Sequence, residues 1–186
     1  YKANRPRGGH AHRRRGRDYL PLDMFRAQFM GRPWGVSTEF IDFYVPYSYR
    51  RQHAMTLLHD VPIRPHTHAD TVDFAARLWQ VMDEFGRKEA EWLPYWKNSA
   101  WVVAQPEGAY VSLYRHPKNG VLAVASNLGR QPATLRLIFN LANLGIQGDP
   151  KALDALTREE IPCDGGAMSL DVDSVDWRLI WLKPHS

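Results

Sequence analysis

The spacing of hydrophobic and polar positions changes once along the chain, close to residues 96–100. Before that point, polar loops separate helical patterns from isolated strand-like stretches. After it, short strands and turns follow one another almost to the C-terminus. Helices repeat apolar residues every three or four positions and half-buried strands every second position, so the two rhythms indicate different architectures. We therefore expect two parts, residues 1–96 and residues 97–186.

The first part is predicted to alternate helices and strands. "PLDMFRAQFMG", residues 21–31, predicts a short helix that ends at a glycine. Residues 34–44 and 53–61 are strand candidates, and the second is apolar at consecutive positions, as in a strand covered on both faces. Residues 70–92 give the strongest helical pattern. Its predicted core stripe is formed by Val72, Ala75, Leu78 or Trp79, Met82 and Phe85.

The second part predicts short antiparallel strands. Candidates lie near residues 100–105, 109–116, 121–128, 133–140, 167–172 and 177–183. The stretch "HPKNG", residues 116–120, is typical of a hairpin connection. Within residues 109–116 the side chains alternate, which predicts a half-buried strand with Val111 and Leu113 on one face and Tyr110 and Tyr114 on the other. This many short strands in so few residues favours a β-sandwich.

Two βα units cannot close a barrel, which needs eight strands. Alone they would leave apolar faces and open strand edges uncovered. The predicted fold class is therefore α/β plus all-β: the last βα units of an incomplete (β/α)8-type barrel followed by an antiparallel β-sandwich. The rest of the barrel would come from the same longer chain or from a second chain.

The net charge of +4 comes from one segment, because residues 1–17 contain seven Lys or Arg and no acidic residue. A basic run can bind phosphates, but this one lacks interleaved aromatics, so we expect a solvated segment and no nucleic-acid partner. The apolar runs are too short for a membrane partner. A single cysteine, Cys163, excludes an intrachain disulfide and a CxxC metal site. We predict no cofactor.

Several stretches resemble the C-terminal part of bacterial glycoside-hydrolase-like proteins, in which a (β/α)8 barrel precedes a β-sandwich. They are "DMFRAQFMGRPWGVSTEFIDFY", "HAMTLLHDVPIRP", "GVLAVASNLGRQPATLRLIFNL", "ALDALTREEIP" and "DWRLIWLKP". The resemblance implies hydrolysis of a carbohydrate substrate by a pair of carboxylates. In the best-known families these carboxylates lie on middle barrel strands, so the catalytic residues are expected outside this chain.

The same resemblance nominates five substrate-binding residues. His59 and Asp60 follow the predicted strand of residues 53–61, and barrel sites are built where strands end. Glu39 lies in the preceding strand candidate, and Arg26 and Trp34 bracket its start; arginine and tryptophan suit a sugar platform. The alternatives are structural: Asp60 as a loop cap, His59 as a core histidine, Glu39 as a solvent-facing carboxylate and Trp34 as a packing residue.

Two further interpretations stay open. The pairs His10/His12 and His66/His68 each offer two imidazoles, but a structural zinc site needs four ligands, so we predict no metal. Alternatively, the chain is a non-catalytic carbohydrate-binding or structural β-sandwich module, with Tyr110 and Tyr114 as its sugar platform.

Overall fold

A computed structural model describes residues 21–30, 40–41, 46–61, 63–65 and 69–184. Backbone contacts divide the chain into two units, Tyr1–Thr38 and Glu39–Ser186. The described part of the first unit forms helix α1, Leu22–Phe29, as its apolar spacing predicted. None of the described helices is both long and apolar enough to span a membrane.

The second unit begins with a β–α–β–α arrangement. In chain order its elements are strand β1 (Phe40–Ile41), helix α2 (Pro46–Thr56) with a 3-10 turn (Leu57–His59), strand β2 (Ile63–Arg64) and helix α3 (Ala69–Phe85). The strands β1 and β2 run parallel, with Phe40 opposite Ile63 and Ile41 opposite Arg64. A parallel pair joined through a helix is the βαβ unit of α/β folds.

The predicted strand over residues 53–61 is wrong, because this stretch is helical. Ala54, Leu57 and Leu58 are all buried, and their spacing also matches a helix. A short apolar run does not separate a buried strand from a buried helix. The strand lies instead at Ile63–Arg64. Of the other predicted strand, residues 40–41 are extended, and the remaining residues of 34–44 lie outside the described ranges.

Helix α3 confirms the predicted helix but ends at Phe85, because Gly86 adopts a left-handed conformation with φ of 79°. A 3-10 turn, Arg87–Glu89, follows. The core stripe is confirmed in Ala75, Leu78, Met82 and Phe85, whereas Val72 and Trp79 are exposed.

Eight antiparallel strands form the rest of the unit, including all six predicted ones. They are β3 (Glu91–Leu93), β4 (Val102–Gln105), β5 (Ala109–His116), β6 (Gly120–Asn127), β7 (Ala133–Phe139), β8 (Lys151–Asp154), β9 (Ala167–Val172) and β10 (Asp176–Lys183), with a short helix α4 (Leu141–Leu144) after β7. One sheet has the order β3-β5-β6-β10-β8, the other β4-β7-β9. The sequence missed β3 and β8, which have only three and four residues.

The five-stranded sheet is covered on both faces. One face shares a core with the three-stranded sheet, built around Val111, Leu113, Ala123, Leu135 and Leu137. The other face packs under α2, the 3-10 turn and α3. Its buried residues are Tyr114, Leu122, Val124, Trp177, Leu179 and Trp181. The half-buried prediction for β5 is therefore wrong, although its two faces were assigned correctly.

Helix α2 is fastened to β10 by reciprocal bonds. Arg50 Nη2 donates to the Trp177 carbonyl at 2.9 Å, and Trp177 Nε1 donates to the Arg50 carbonyl at 2.8 Å. Arg50 Nε also lies 3.2 Å from Asp176 Oδ1. The buried His53 ring stacks on Trp177 with centroids 6.0 Å apart. These contacts fix the helical layer against the sheet.

Gly120, at the hairpin between β5 and β6, has a φ of 82° and lies against the Leu182 backbone. A Cβ there would clash with the Leu182 carbonyl oxygen, so Gly120→Ala should lower the free energy of unfolding by at least about 3 kcal/mol. Gly148→Ala is the matched control, since Gly148 has a φ of 67° with nothing within 4 Å of its Cβ position. It should cost about 1 kcal/mol, measured by urea unfolding. Equal losses would contradict the clash.

Burial lowers the pKa of His53 to about 4, with the Arg50 charge acting in the same direction and the bond to the Tyr49 carbonyl opposing it. In the unfolded chain His53 has a pKa near 6.5. Its contribution to the free energy of unfolding is therefore fully present above that pH. It is lost as the pH falls from 6.5 towards 4, by up to about 3 kcal/mol.

Urea unfolding between pH 4 and pH 7.5 measures this loss. His53→Gln removes the titrating group, so its stability should vary less with pH than that of the wild type. Any packing loss in the variant acts at every pH and leaves the slope unaffected. An unchanged slope would contradict the assignment.

Candidate functional site

His59 lies at the end of the 3-10 turn and is fully buried. Its Nδ1 is 2.7 Å from the Met55 carbonyl, which can only accept, so Nδ1 carries a proton. The Tyr95 hydroxyl lies 3.4 Å from the other ring nitrogen, Nε2. The ring also stacks on Trp96, with centroids 5.7 Å apart. The alternative of a core histidine therefore describes its position.

Asp60 joins three elements through its carboxylate. The residue adopts a left-handed conformation, with φ of 57°, directly after the 3-10 turn. Its Oδ1 accepts a hydrogen bond from the Tyr114 hydroxyl at 2.6 Å and another from Arg87 Nε at 3.0 Å, and Arg87 Nη2 forms an ion pair with the same oxygen. The Arg87 guanidinium also lies over the Tyr114 ring, 5.6 Å from its centroid.

Electrostatics keep this network in one protonation state. Burial raises the pKa of Tyr114, and the negative charge of Asp60 raises it further. Burial opposes the charge of Arg87, but Tyr114 and Asp60 outweigh this effect and raise the pKa of Arg87. Tyr114 therefore remains a neutral donor and Arg87 a cation around neutral pH. Charge-assisted bonds of this kind are stronger than neutral ones.

One carboxylate oxygen of Asp60 is left over. Among the described residues no donor bonds to Oδ2, and the side chain is 30% exposed. Asp60 is thus held in a fixed orientation by its first oxygen while its second can accept a hydrogen bond. Of the two neighbours, Asp60 and not His59 has the geometry of a contact residue.

Two buried polar side chains of the adjoining region hold backbone groups. Ser112 Oγ donates to the Leu58 carbonyl at 2.7 Å and accepts from the Tyr95 amide at 3.0 Å. Asn98 Nδ2 donates to the Val111 carbonyl at 2.7 Å and to the Leu93 carbonyl at 3.2 Å. The 3-10 turn and the loop after β3 are therefore both tied to β5.

Half-buried aromatic rings surround His59. Tyr95 packs edge-on against Trp96 and Tyr110, with centroids 4.9 and 5.1 Å apart, and Trp92 packs against Trp96 at 5.5 Å. Within the described ranges the buried Nε1 of Trp92 has no hydrogen-bond partner. Edge-on contacts at these distances are typical of packed aromatic clusters.

The other predicted site residues are not brought to this region by any described contact. Glu39 and Trp34 lie outside the described residues. Arg26, on α1, forms an ion pair with Asp23 at 3.3 Å. Substrate binding by His59, Asp60, Glu39, Arg26 and Trp34 stays a prediction. For His59 and Asp60 the prediction was based on their place at the end of a strand, but they lie at the end of a helical stretch.

The histidine pairs His10/His12 and His66/His68 also lie outside the described residues. In the part of the chain that the structure describes, no group of three or more His, Cys, Asp or Glu side chains could hold a metal ion.

The sequence missed Arg87 and Tyr114 as partners of Asp60. Arg87 follows the helix-ending Gly86, and Tyr114 is one of several strand aromatics. Their separations from Asp60 are 27 and 54 residues, so no local pattern links them. One feature could have indicated that Tyr114 has a partner. Its hydroxyl lies on a strand that is buried on both faces, and a buried hydroxyl needs an internal hydrogen-bond partner.

Residues 75–162 match the family model described as glycoside hydrolase 123, C-terminal domain. This match covers a little under half of the chain and extends from within α3 past β8. The comparison with curated protein sequences gives no match.

Three solved structures share the fold at low identity. A GH27 β-L-arabinopyranosidase from Geobacillus stearothermophilus in complex with arabinose aligns with a TM-score of 0.54 and 11% identity, covering 82% of this chain and 33% of its own. A noncanonic maltogenic α-amylase from Thermotoga neapolitana gives 0.51 and 12%, covering 89% and 46%. α-Galactosidase I from Mortierella vinacea gives 0.50 and 11%, covering 76% and 38%.

The chain thus spans between a third and a half of the length of these structures. The structural matches extend over most of this chain, whereas the family match covers most of α3 and the strands β3 to β8. Together they confirm the resemblance predicted from the sequence: the chain is similar to the C-terminal part of a glycoside-hydrolase-like protein.

Proposed function

We propose that this chain is the C-terminal portion of a glycoside hydrolase that acts on a carbohydrate, with its catalytic carboxylates outside these 186 residues. One combination carries the proposal. The match to the C-terminal domain of glycoside hydrolase 123 begins at residue 75, and a parallel β–α–β–α unit leads directly into it. This is the order expected where a barrel ends and a sandwich begins.

The parallel pair supports the barrel end of this proposal. The ten strands described include one parallel pairing, β1 with β2, and α2 connects these two strands. Parallel strands occur almost only where helices cover their sheet, as in α/β barrels. The rest of the barrel would be the partner of this chain, in the same longer polypeptide or in a second one.

The division between the two proposed domains moves from residue 96 to just before Glu91. Strand β3 pairs with β5, with Glu91 opposite Arg115 and Leu93 opposite Leu113. Residues 91–93 are therefore part of the sandwich sheet, and the proposed barrel portion ends with α3 and the turn that follows it.

Asp60 has a bracing role in this proposal. In a (β/α)8 barrel, substrate binds at the carboxyl ends of the strands, whereas residues on the opposite face contribute to stability. His59 and Asp60 precede β2, so in the proposed barrel they belong to the opposite face. The bonds of Asp60 to Arg87 and Tyr114 support this role. Glu39 precedes β1 just as Asp60 precedes β2, so this topology gives Glu39 no support either. Substrate binding by Glu39, Arg26 and Trp34 stays a prediction.

The alternative of a carbohydrate-binding sandwich module gains no support from its predicted platform. Tyr114 is buried beneath the helical layer and donates its hydroxyl to Asp60. Tyr110 is half-buried against Tyr95. The two rings therefore do not form the outward-facing sugar platform that this alternative predicts, which favours a bracing function for the sandwich.

The complete enzyme, expressed from the full reading frame, should hydrolyse at least one member of a panel of aryl glycosides, detected by release of the chromophore. The 186-residue chain alone should hydrolyse none, because the carboxylate pair is proposed to lie outside it. Circular dichroism of both proteins controls for folding. A folded complete protein that is inactive on the whole panel, or an active isolated chain, would contradict the proposal.

Asp60→Ala should lower the free energy of unfolding by about 2 kcal/mol, because Tyr114 and Arg87 lose their shared acceptor while Arg87 keeps partial access to water. Asp60→Asn retains an oxygen acceptor for Tyr114 and should lose about half as much. Asp73→Ala, an exposed carboxylate on α3, is the control and should stay within about 0.5 kcal/mol of the wild type.

Urea unfolding measures these differences, and aryl glycoside hydrolysis by the complete enzyme separates the two roles of Asp60. If Asp60→Ala keeps wild-type stability but hydrolysis falls at least about tenfold, the bracing role is wrong and direct substrate contact is favoured.

A further inference from the structure

Helix α3 carries a second apolar stripe beside its buried face. The buried face consists of Thr71, Ala75, Leu78, Val81, Met82 and Phe85. The second stripe consists of Val72, Ala76 and Trp79, at spacings of four and three residues, and all three are exposed. Val72 is 46% and Trp79 54% exposed, which makes Trp79 the most exposed large hydrophobic residue of the described chain.

The two stripes together cover too much of the helix for one buried side. At 3.6 residues per turn each residue rotates by about 100°, so the apolar positions from Val81 round to Val72 span about 180°. Ala76 lies about 40° beyond Val72, with the exposed Asp83 between them in angle. A helix that packs on a single core needs an apolar stripe of roughly 100° or somewhat more. Apart from Asp83, the exposed polar positions occupy the remaining sector, with Asp73, Arg77, Gln80 and Glu84 at its centre.

The stripe continues a described cluster. Ala75 is its neighbour around the helix, and Ala75 packs with Tyr49 and Ile63 in the cluster that covers β2. The opposite edge of the buried face, at Val81, packs towards the five-stranded sheet. The exposed stripe therefore lies on the side of α3 that adjoins the parallel pair.

We propose that the stripe of Val72, Ala76 and Trp79 is the surface on which the first βα unit of the catalytic barrel packs. This inference rests on the proposed function. In a (β/α)8 barrel the ring closes, so the helix after the last strand lies beside the first βα unit. Three observations favour the first βα unit as the partner. The matched structures are longer than this chain, the stripe continues the cluster that covers β2, and the apolar sector of α3 is wider than one core requires.

The shape of the stripe suits a helix as its partner. Ala76 is small and lies between Val72 and Trp79, so it leaves a recess into which one side chain of a facing helix fits. Trp79 provides the anchor, since large aromatic residues dominate the energetics of interfaces.

Cysteine labelling tests the proposal without relying on activity. Val72→Cys and Ala76→Cys are made in the complete enzyme in a Cys163→Ser background, and maleimide labelling of the native protein is followed by mass spectrometry. Ser169→Cys is the matched control, because Ser169 is exposed on β9, in the sheet farthest from α3. Both stripe thiols should react at least about tenfold more slowly than the control. In the folded 186-residue chain all three should react at similar rates.

Equal labelling rates at the three positions of the complete enzyme would overturn the proposal. It would also be overturned if the stripe thiols of the 186-residue chain became protected as its concentration increased, because a second copy would then be the occupant. The readout is independent of hydrolysis: a complete protein that protects the stripe but cleaves no glycoside retains the packing inference and rejects the proposed activity.

Discussion

The five-stranded sheet is buried on both faces, and this constraint decides where the polar groups of the second unit can lie. All eight residues of β6 are buried, between the three-stranded sheet on one side and the helical layer on the other. An unpaired hydroxyl or amide on such a sheet is costly, and of the polar side chains described there the Ser126 hydroxyl of β6 has no partner. Ser112 has its partner in the Leu58 carbonyl, Tyr114 in Asp60, and Asn127 in the carbonyls of Gln131 and Val172. Each bond therefore serves a group that water cannot reach.

The same bonds set the position of the helical layer. Apolar packing is non-directional and would allow α2 and the 3-10 turn to slide over the sheet. Hydrogen bonds from Ser112, Tyr114 and Arg50 have one geometry each, and they fix the turn at Leu58 and Asp60 and the helix at the Trp177 carbonyl. Since only three residues separate the turn from β2, these hydrogen bonds also constrain the parallel pair. These hydrogen bonds thus hold the parallel pair at the start of the unit in a defined position relative to the sandwich.

Local patterns in the sequence were sufficient for most of the fold. Hairpin turns and alternation located six strands, and helical spacing located α3. Residues 53–61 failed because consecutive apolar residues fit a doubly covered strand and a buried helix equally. Asp60 was predicted to contact substrate, which stays a prediction, and its partners Arg87 and Tyr114 were missed because they lie 27 and 54 residues away. Val72 was placed in the core, and Trp79 was kept as an alternative to Leu78, because spacing alone does not say how many sides of a helix are covered.

Helix α3 is the element through which the two proposed domains are joined. The family match starts at Ala75, inside the helix, so the matched region includes most of α3. Its Leu78, Met82 and Phe85 pack on the sandwich, whereas Ala75 packs on β2. A flexible linker between domains would contain few such contacts. Because α3 packs against both neighbours, we infer that it holds β2, the proposed last barrel strand, in a fixed orientation relative to the sandwich.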